Sequence, residues 1–402
     1  MPVTPGPTIQ ARELTSRVTV VFAIACGLSV ANIYYAQPLI GLIAPALGMP
    51  AGQAGLIMTL TQLGYGAGLL FIVPLADVLE NRRLVVRLLA GVILGLTGIA
   101  FARSSMAFLG ASFLVGVCAV ATQVLVPFAS HLAPEASRGR VVGNVMSGLL
   151  AGIMLARPLA SFGAAHFGWR AVFAGSAVAM VPLLVTLRRR LPERRPPGDH
   201  SYKRIVHSMI GLARRTPVLR RRALYQGMLF AAFNVFWTGV PLLLMNAFGL
   251  SQNGIALFAL AGAAGALSAP WAGRLADRGW TRAATGASMG AVALAFAVAA
   301  YAAAIHSLAL LVFAALVLDA AVQICQVLSL REIYMLAPEH RSRLNGLYMA
   351  TVFVGGSIGS GLAAAIYVSS GWGILSLVGA IFAMVALLAF GTELVRRGSW
   401  RG

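Results

Sequence analysis

The sequence predicts an all-α membrane protein in which twelve transmembrane helices form two pseudo-symmetric six-helix bundles. Of its 402 residues, 59% are hydrophobic and 10% are charged, and the mean hydropathy is +0.84. A soluble protein of this size carries about a quarter charged residues. Apolar stretches of about 20 residues, each long enough to cross the hydrocarbon core as a helix, recur along the whole chain. In addition, the second half of the chain repeats motifs of the first.

The apolar runs are continuous and lack two-residue alternation, which favours helices over a membrane β-barrel. The predicted organisation is an N-terminal bundle at 1–187, a basic cytoplasmic linker at 188–222 and a C-terminal bundle at 223–402. The predicted spans are 18–40, 54–76, 84–102, 106–130, 141–164, 170–187, 223–246, 253–273, 283–304, 308–330, 344–367 and 373–393.

With the exceptions of Arg103 and Arg170, the basic residues of the loops lie in alternate loops, although the formal net charge of +20 alone would suggest nucleic acid as a partner. This distribution follows the positive-inside rule and predicts a multi-pass protein of a bacterial cytoplasmic (inner) membrane with both termini cytoplasmic. It argues against nucleic-acid binding. The basic positions after the even-numbered spans include Arg82, Arg83, Arg87, Arg138, Arg140, the run from Arg188 to Arg222, Arg274, Arg278, Arg282, Arg341, Arg343, Arg396, Arg397 and Arg401.

Six motifs recur in the same order at an offset of about 200 residues, which indicates an internal repeat. Each predicted half has an even number of spans, so both halves enter the membrane in the same orientation. They are then related by an axis along the membrane normal, with a central cavity between them. The matching positions are Asn32 with Asn234, Asp77 with Asp277, Gln123 with Gln326, Arg138 with Arg341, Gly152 with Gly355, and Gly168 with Gly371.

The loops after spans 2 and 8 read VPLADVLENRR and AGRLADRGWTR. Together with twelve spans and a long basic central loop, they resemble the major facilitator superfamily over essentially the whole chain. The first copy departs from the family signature at Val73, Val78 and Glu80. The segments NIYYAQPL, TLTQLGYGAGLL and RSRLNGLYM are similar to bacterial efflux permeases of its twelve-span drug/sugar:proton antiporter group.

This resemblance implies a rocker-switch transporter whose spans 1, 4, 7 and 10 line the cavity. It also implies that carboxylates at cytoplasmic helix ends meet helix N-termini and guanidinium groups, and so hold one state closed. The alternative is that these residues only fix loop turns and topology. The expected gating residues are Asp77, Arg82, Arg83, Asp277 and Arg278.

Asp319 is the one acidic residue, of eleven, in the middle of a predicted span. It lies roughly 16 Å from the outer end of span 10, and an ionisable group at such depth is a functional candidate. Gln323 and Gln326 follow on the same helical face. Desolvation favours the neutral form of a buried carboxyl group, so we expect Asp319 to be the proton-coupling site. A structural carboxylate or a direct substrate contact are the alternatives.

Arg157 is the one basic residue deep in a predicted span, and it is assigned to proton coupling with Asp319. A guanidinium group stays charged and needs an anion. Three possibilities remain: Asp319 reached across the interface between the halves, an anionic substrate, or the outer lipid headgroups. Gly143, Gly152 and Pro158 match the general character of the antiporter signature in span 5, but Arg157 stands where the family has proline.

Polar and aromatic residues within the spans are candidates for substrate binding. Asn32 and Asn234 have an alternative role as interhelical hydrogen-bonding residues, and Tyr34 and Tyr35 as interfacial anchors. The substrate-binding candidates are Asn32, Tyr34, Tyr35, Gln62, Gln123, Asn234, Phe236, Trp237, Gln323 and Gln326.

The sequence therefore predicts a proton-coupled exporter of small organic solutes that acts by alternating access. A proton symporter or facilitator that imports a small polar solute is the alternative within transport, and a non-transporting membrane sensor is the alternative from another class. No enzymatic motif, nucleotide-binding loop, cofactor site or metal site is recognisable, and the three cysteines lie in separate spans. The expected partners are a solute, protons and membrane lipid, and a monomer is expected.

Overall fold

A computed structural model describes residues 16–195, 201–336 and 341–398. Within these ranges the chain folds into helices joined by short turns. The N-terminal segment 1–15, the linker residues 196–200 and Arg401 lie outside the described residues. The helices are α1 Ser16–Ala31, α2 Ile40–Ala46, α3 Leu56–Ala67, α4 Asn81–Ala100, α5 Ser105–Ala119, α6 Ala121–Leu132, α7 Arg138–Phe167, α8 Trp169–Arg190, α9 Tyr202–Arg215, α10 Pro217–Asn246, α11 Gln252–Ala263, α12 Ala269–Asp277, α13 Thr281–Ala304, α14 Leu308–Tyr334 and α15 Arg341–Gly398.

Nine continuous helical segments in the described ranges are long and apolar enough to cross a membrane. Three features separate this number from the predicted twelve. The apolar helix Val18–Ala31 is short, and a 3₁₀ turn at 264–268 divides predicted span 8 into α11 and α12. The long helix α15 contains predicted spans 11 and 12, which meet at Gly371, where φ is 76° and the helix is interrupted. The count of twelve spans stays a prediction.

The linker region is more helical than the sequence indicated. Helix α8 continues to Arg190, and α9 turns the buried side chains of Ile205 and Met209 toward the protein. Helix α10 begins at Pro217 rather than at residue 223. Proline is well suited to the first position of a helix because that position needs no N–H donor. The basic residues at 220–222 therefore belong to the helix of predicted span 7.

The two parts of the chain contact each other along two pairs of helices. Helix α3 packs against α15, and α7 packs against α11. Helix α12, the continuation of α11, packs instead against α13 and α14. The α7 contact is therefore confined to one half of predicted span 8.

Several helices approach at glycines. A Cβ atom at Gly152 would lie 2.2 Å from the Gly27 carbonyl oxygen, so α1 and α7 touch backbone to backbone. Glycines of predicted spans 2 and 11 also lie at close contacts, and Gly66 lies near Ala350 of α15. Gly64, however, meets Phe113 of α5. The glycines thus serve packing inside each half as well as contact between halves.

We predict that Gly116→Ala destabilises the protein, because the new Cβ would lie 2.0 Å from the Thr61 carbonyl oxygen. Overpacking of this kind costs about 1–3 kcal/mol of unfolding free energy. The measurement is thermal unfolding of the purified protein in detergent. Gly110→Ala on the same helix is the matched control, because nothing lies within 4 Å of its Cβ position. Equal stability of the two variants would contradict the packing argument.

Candidate functional site

A set of buried polar side chains lies between the two parts of the chain, and we call it the central polar cluster. Its members come from the turn after α1, from α3 and α7 on one side, and from α10, α14 and α15 on the other. None of them is more than 7% exposed. The cluster consists of Gln37, Gln62, Arg157, Asn234, Trp237, Thr238, Asp319 and Ser360.

Asn234 is the hydrogen-bonding centre of this cluster. Its Oδ1 accepts hydrogen bonds from Gln37 Nε2 at 3.3 Å, from Gln62 Nε2, and from Ser360 Oγ at 3.3 Å. Its Nδ2 donates to the Phe230 carbonyl oxygen at 2.9 Å. Because an amide oxygen has two lone pairs, three donors exceed what it can satisfy at once. The three donors therefore compete for this oxygen, so the hydrogen bonds between the two parts of the chain can exchange.

Arg157 lies in the cluster and is 4% exposed, so its side chain does not reach the outer headgroups in this structure. Its Nε donates to Gln37 Oε1 at 2.7 Å, while its buried Nη2 has no hydrogen-bond partner. The guanidinium carbon lies 5.2, 5.1 and 4.5 Å from the ring centres of Tyr34, Phe233 and Trp237. Cation–π attraction thus supplies part of the stabilisation that a counter-ion would give.

Asp319 accepts a hydrogen bond from Trp237 Nε1 on Oδ1 at 2.7 Å. Arg157 and Asp319 attract each other electrostatically. They do not form a direct ion pair, because the ion pairs within 4.0 Å in the described part of the chain involve other residues. The indole of Trp237 contacts both charged groups and connects them.

Two glycines that carried no signal in the sequence make room for this arrangement. A Cβ at Gly262 would lie 2.6 Å from the Trp237 indole, and a Cβ at Gly265 would lie 2.7 Å from Cβ of Asp319. Both glycines lie where α11 passes into the 3₁₀ turn. This helix must therefore approach α10 and α14 closely for the cluster to form.

Two further substrate-binding candidates of the first half, Asn32 and Gln123, form hydrogen bonds with residues outside the cluster. Asn32 accepts a hydrogen bond from Ser176 Oγ at 2.6 Å and so joins the turn after α1 to α8, as its interhelical alternative suggested. Gln123 donates to Tyr65 Oη at 3.1 Å. The half-buried position of Gln123 leaves part of its side chain accessible.

The remaining substrate-binding candidates of the second half also lie outside the cluster. Phe236 packs between Phe296 and Trp372, with ring centres 6.2 and 5.7 Å apart, in an apolar core. Gln323 and Gln326 are half-buried on α14, beyond Asp319 along the helix. Thr238 and Ser360 were missed by the sequence reasoning. Thr238 could have been found from its spacing of one helical turn after Asn234, but no pattern marks Ser360.

A groove of about 860 Å³ runs between α1 and α7. It begins near Thr19 and Arg140, which lie on the side of the molecule that carries the basic loops, here called the basic face. Tyr35 and Ala156 line it near its other end. These two residues are the chain neighbours of Tyr34 and Arg157, so the groove leads from the basic face to the edge of the cluster.

On the basic face, the loop after predicted span 2 is tied to the start of the linker. Glu80 caps α4 by accepting hydrogen bonds from the backbone N–H groups of Arg82 at 2.7 Å and Arg83 at 2.9 Å. Arg82 forms an ion pair with Glu193. Partial burial lowers the pKa of Arg194, and the charge of Asp77 opposes that shift. The substitution of Glu80 for the family's glycine thus supplies a helix cap.

The corresponding loop of the second half is simpler. Asp277 Oδ1 accepts a hydrogen bond from Arg331 Nη1 of α14 at 2.7 Å, and both side chains are well exposed. The expected partner Arg278 is exposed. An exposed ion pair contributes little to stability. The partners of both aspartates, Arg194 and Arg331, were not identified from the sequence.

We predict that Asp77→Asn lowers the transport rate while the protein remains in the membrane, because it removes the negative charge that attracts Arg194 of the linker. Initial transport rates in vesicles, normalised to the amount of protein in the membrane, are the measurement. Glu135→Gln is the control, since Glu135 is exposed in a neighbouring loop of the basic face. Wild-type turnover of Asp77→Asn would show that this aspartate only shapes its loop.

Comparison with known proteins agrees with this architecture. A sequence profile of the Major Facilitator Superfamily matches residues 22–328. The "Uncharacterized transporter YgaY" of Escherichia coli O157:H7 is 39% identical, and the match covers 97% of this chain and 96% of that protein. The "Probable transporter SCO4007" of Streptomyces coelicolor is 33% identical over 87% and 81% of the two chains.

More distant matches extend the comparison. The "Purine ribonucleoside efflux pump NepI" of Salmonella typhimurium is 25% identical over 60% of this chain and 59% of that protein. Among solved structures, the nucleoside transporter NupG superposes with a TM-score of 0.73 at 15% identity, covering 93% and 99% of the two chains. At this identity the superposition shows a shared fold.

Proposed function

The chain belongs to the Major Facilitator Superfamily, and from this premise we propose that it is a proton-coupled secondary transporter that exports a small organic solute by alternating access. Membership makes the chain a membrane transporter rather than an enzyme. The observation that carries the finer proposal is the central polar cluster, in which Trp237 contacts both Asp319 of its own half and Arg157 of the other half.

The proposed architecture has twelve spans in two pseudo-symmetric bundles, 1–187 and 223–402, joined by the linker at 188–222. It is supported by the nine long apolar segments found among the described residues, the short first helix, the divided eighth span and the break at Gly371. The alternating basic loops support a cytoplasmic location for the basic face and both termini.

The two halves pack against each other on the side away from the basic face. The turn at 37–39 and α2 pack against α10, and α7 packs against α11, on the side away from the basic face. Toward the basic face a groove lies between α1 and α7 of the first half, and residues 68–72 contact α15 of the second half. For the cluster to open to the other side, the hydrogen bonds of Gln37 and Gln62 to Asn234 must break, because these bonds join the two halves.

Proton binding at Asp319 changes the balance that holds the halves together. The ionised carboxylate attracts Arg157 of the other half, whereas the protonated group does not. A proton therefore shifts the equilibrium between conformations by the difference in its affinity for them. Water that enters through the groove is the proposed source of the proton on the basic face.

Export is supported by two observations, the efflux activity in the name of the relative NepI and the partial antiporter signature at Gly143, Gly152 and Pro158. A second candidate is symport of a proton with an anionic solute. It is favoured by one specific observation, the buried Nη2 of Arg157 that has no hydrogen-bond partner.

We predict that Asp319→Asn abolishes transport driven by a pH gradient but retains exchange of solute at equal concentrations. Asparagine still accepts the hydrogen bond from Trp237 Nε1, yet it cannot take up a proton. The assay uses proteoliposomes loaded with a pH-sensitive dye and challenged with inosine and benzoate as test solutes under an imposed pH gradient. We expect solute-dependent proton flux to fall by more than about tenfold, as for loss of an essential proton-transfer group.

Glu135→Gln serves as the matched control, because it removes a carboxylate from an exposed loop. Solute-dependent proton flux in Asp319→Asn equal to that of this control would exclude Asp319 as the coupling group.

A further inference from the structure

We infer that the solute held by the central polar cluster is a planar organic anion of the aromatic carboxylate class, and that it binds together with a proton on Asp319. This inference rests on the second candidate of the proposed function, symport of a proton with an anionic solute, and names the substrate class of the same site.

Arg157 is a buried cation whose direct hydrogen-bonding partner is neutral. Its Nε donates a hydrogen bond to the amide oxygen of Gln37. Its Nη2 has no acceptor, although it is inaccessible to solvent. A buried charged donor without an acceptor is strongly unfavourable. A carboxylate is the acceptor that matches a guanidinium group in charge and in planar geometry. The unused donor therefore identifies the position of the solute's anionic group.

The surroundings of Arg157 indicate the shape of the solute. The rings of Tyr34, Phe233 and Trp237 lie within 5.2 Å of the guanidinium carbon, so the anionic group would be held next to aromatic side chains. Aromatic pairs in offset or edge-to-face contact favour a planar ring in this position. The groove that leads to the cluster is lined mainly by apolar residues of α1 and α7, with Arg140 near its entrance. An aromatic anion matches both parts of this path.

The charges of the cluster explain why a proton accompanies the anion. With Asp319 ionised, its charge balances that of Arg157, and a solute carboxylate would add an uncompensated negative charge. A proton on Asp319 restores the balance. Oδ1 already accepts the indole hydrogen bond, so the proton binds Oδ2, and no covalent bond other than this O–H bond forms or breaks. Binding of the proton and of the anion each strengthen the other by the same factor.

Among the charged residues on the described helices that pack around Asp319, Arg157 is the one that faces it. Helix α11 and the turn at 264–268 carry no charged residue, and the charged residues of α12 and α13 lie at the basic face. Tyr34 lies beside Arg157. A separate group contains Arg222 of α10, Cys325 of α14 and Tyr348 of α15, which interact with one another. Tyr225 of α10 interacts electrostatically with Arg222.

The inference changes the coupling expected for this site. When an anion and a proton stabilise each other on the same conformation, they cross the membrane together. Co-transport rather than exchange follows, as in the second candidate above. Export would then be driven by the gradient of the solute itself, and an inward proton gradient would drive uptake.

The test is binding of matched acids and amides to the full-length protein in lipid nanodiscs. Benzoate and 2-naphthoate are compared with benzamide and 2-naphthamide by isothermal titration and thermal unfolding. We expect the acids to bind and the amides to bind at least about 100-fold more weakly, as for loss of one partner of a buried charge pair. At pH values above the one at which Asp319 loses its proton, the affinity for the acids falls by up to about tenfold per pH unit. The reason is that one proton is taken up with each anion that binds.

Three variants sharpen the test. Asp319→Asn mimics the protonated state, so the acids bind to it with an affinity that does not change with pH. Arg157→Gln loses at least about 100-fold in acid affinity. Arg170→Gln is the matched control, because Arg170 also stacks on a tryptophan, Trp169, at 4.2 Å but lies outside the cluster. We expect wild-type affinity in this control.

The inference is overturned if the amides bind as tightly as the acids, if none of the four compounds binds, if acid affinity rises with pH, or if Arg157→Gln behaves like Arg170→Gln. The acid–amide comparison on the unaltered protein does not depend on the folding of any variant. Binding is measured without a gradient, so loss of acid preference leaves the transport test of Asp319 unaffected. Retained acid binding without proton-dependent transport would instead contradict the proposed function.

Discussion

The structure depends on how a guanidinium group is kept inside a membrane protein without a carboxylate in direct contact. Arg157 is surrounded by one amide oxygen and three aromatic rings, and it is linked to Asp319 through the indole of Trp237. Each of these contacts is weaker than a direct ion pair in a medium of low dielectric constant. The site is therefore stable enough to exist without solute and retains unused capacity for an anion.

This arrangement requires close helix packing on both sides of it. Gly262 and Gly265 let α11 and the following turn approach Trp237 and Asp319, and Gly27 and Gly152 let α1 support α7, which carries Arg157. Asn234 connects the halves at the same depth with more donors than its oxygen can accept. Alternating access needs rigid packing within each half and exchangeable hydrogen bonds between the halves. Packed interfaces of this kind switch between discrete states.

The sequence predicted the helical membrane architecture, the family and the polar residues of the spans, because low charge, apolar length and repeated motifs are local properties. It also marked Arg157 and Asp319, since charges are rare at such depth. It did not predict that Trp237 connects them, that Phe236 lies in an apolar core, or that Arg194 and Arg331 face the loop aspartates. These facts depend on helix rotation and on the path of the linker, which periodicity does not encode.

The central claim is that Asp319 exchanges a proton with water that reaches the cluster through the groove between α1 and α7 of the first half. Infrared difference spectroscopy of the reconstituted protein, recorded between acidic and alkaline pH, tests this claim without knowledge of the solute. We expect a protonated-carboxyl C=O band that disappears on alkalinisation and is missing from Asp319→Asn. A spectrum in which no such band responds to pH, or in which the band persists in the variant, would contradict the account.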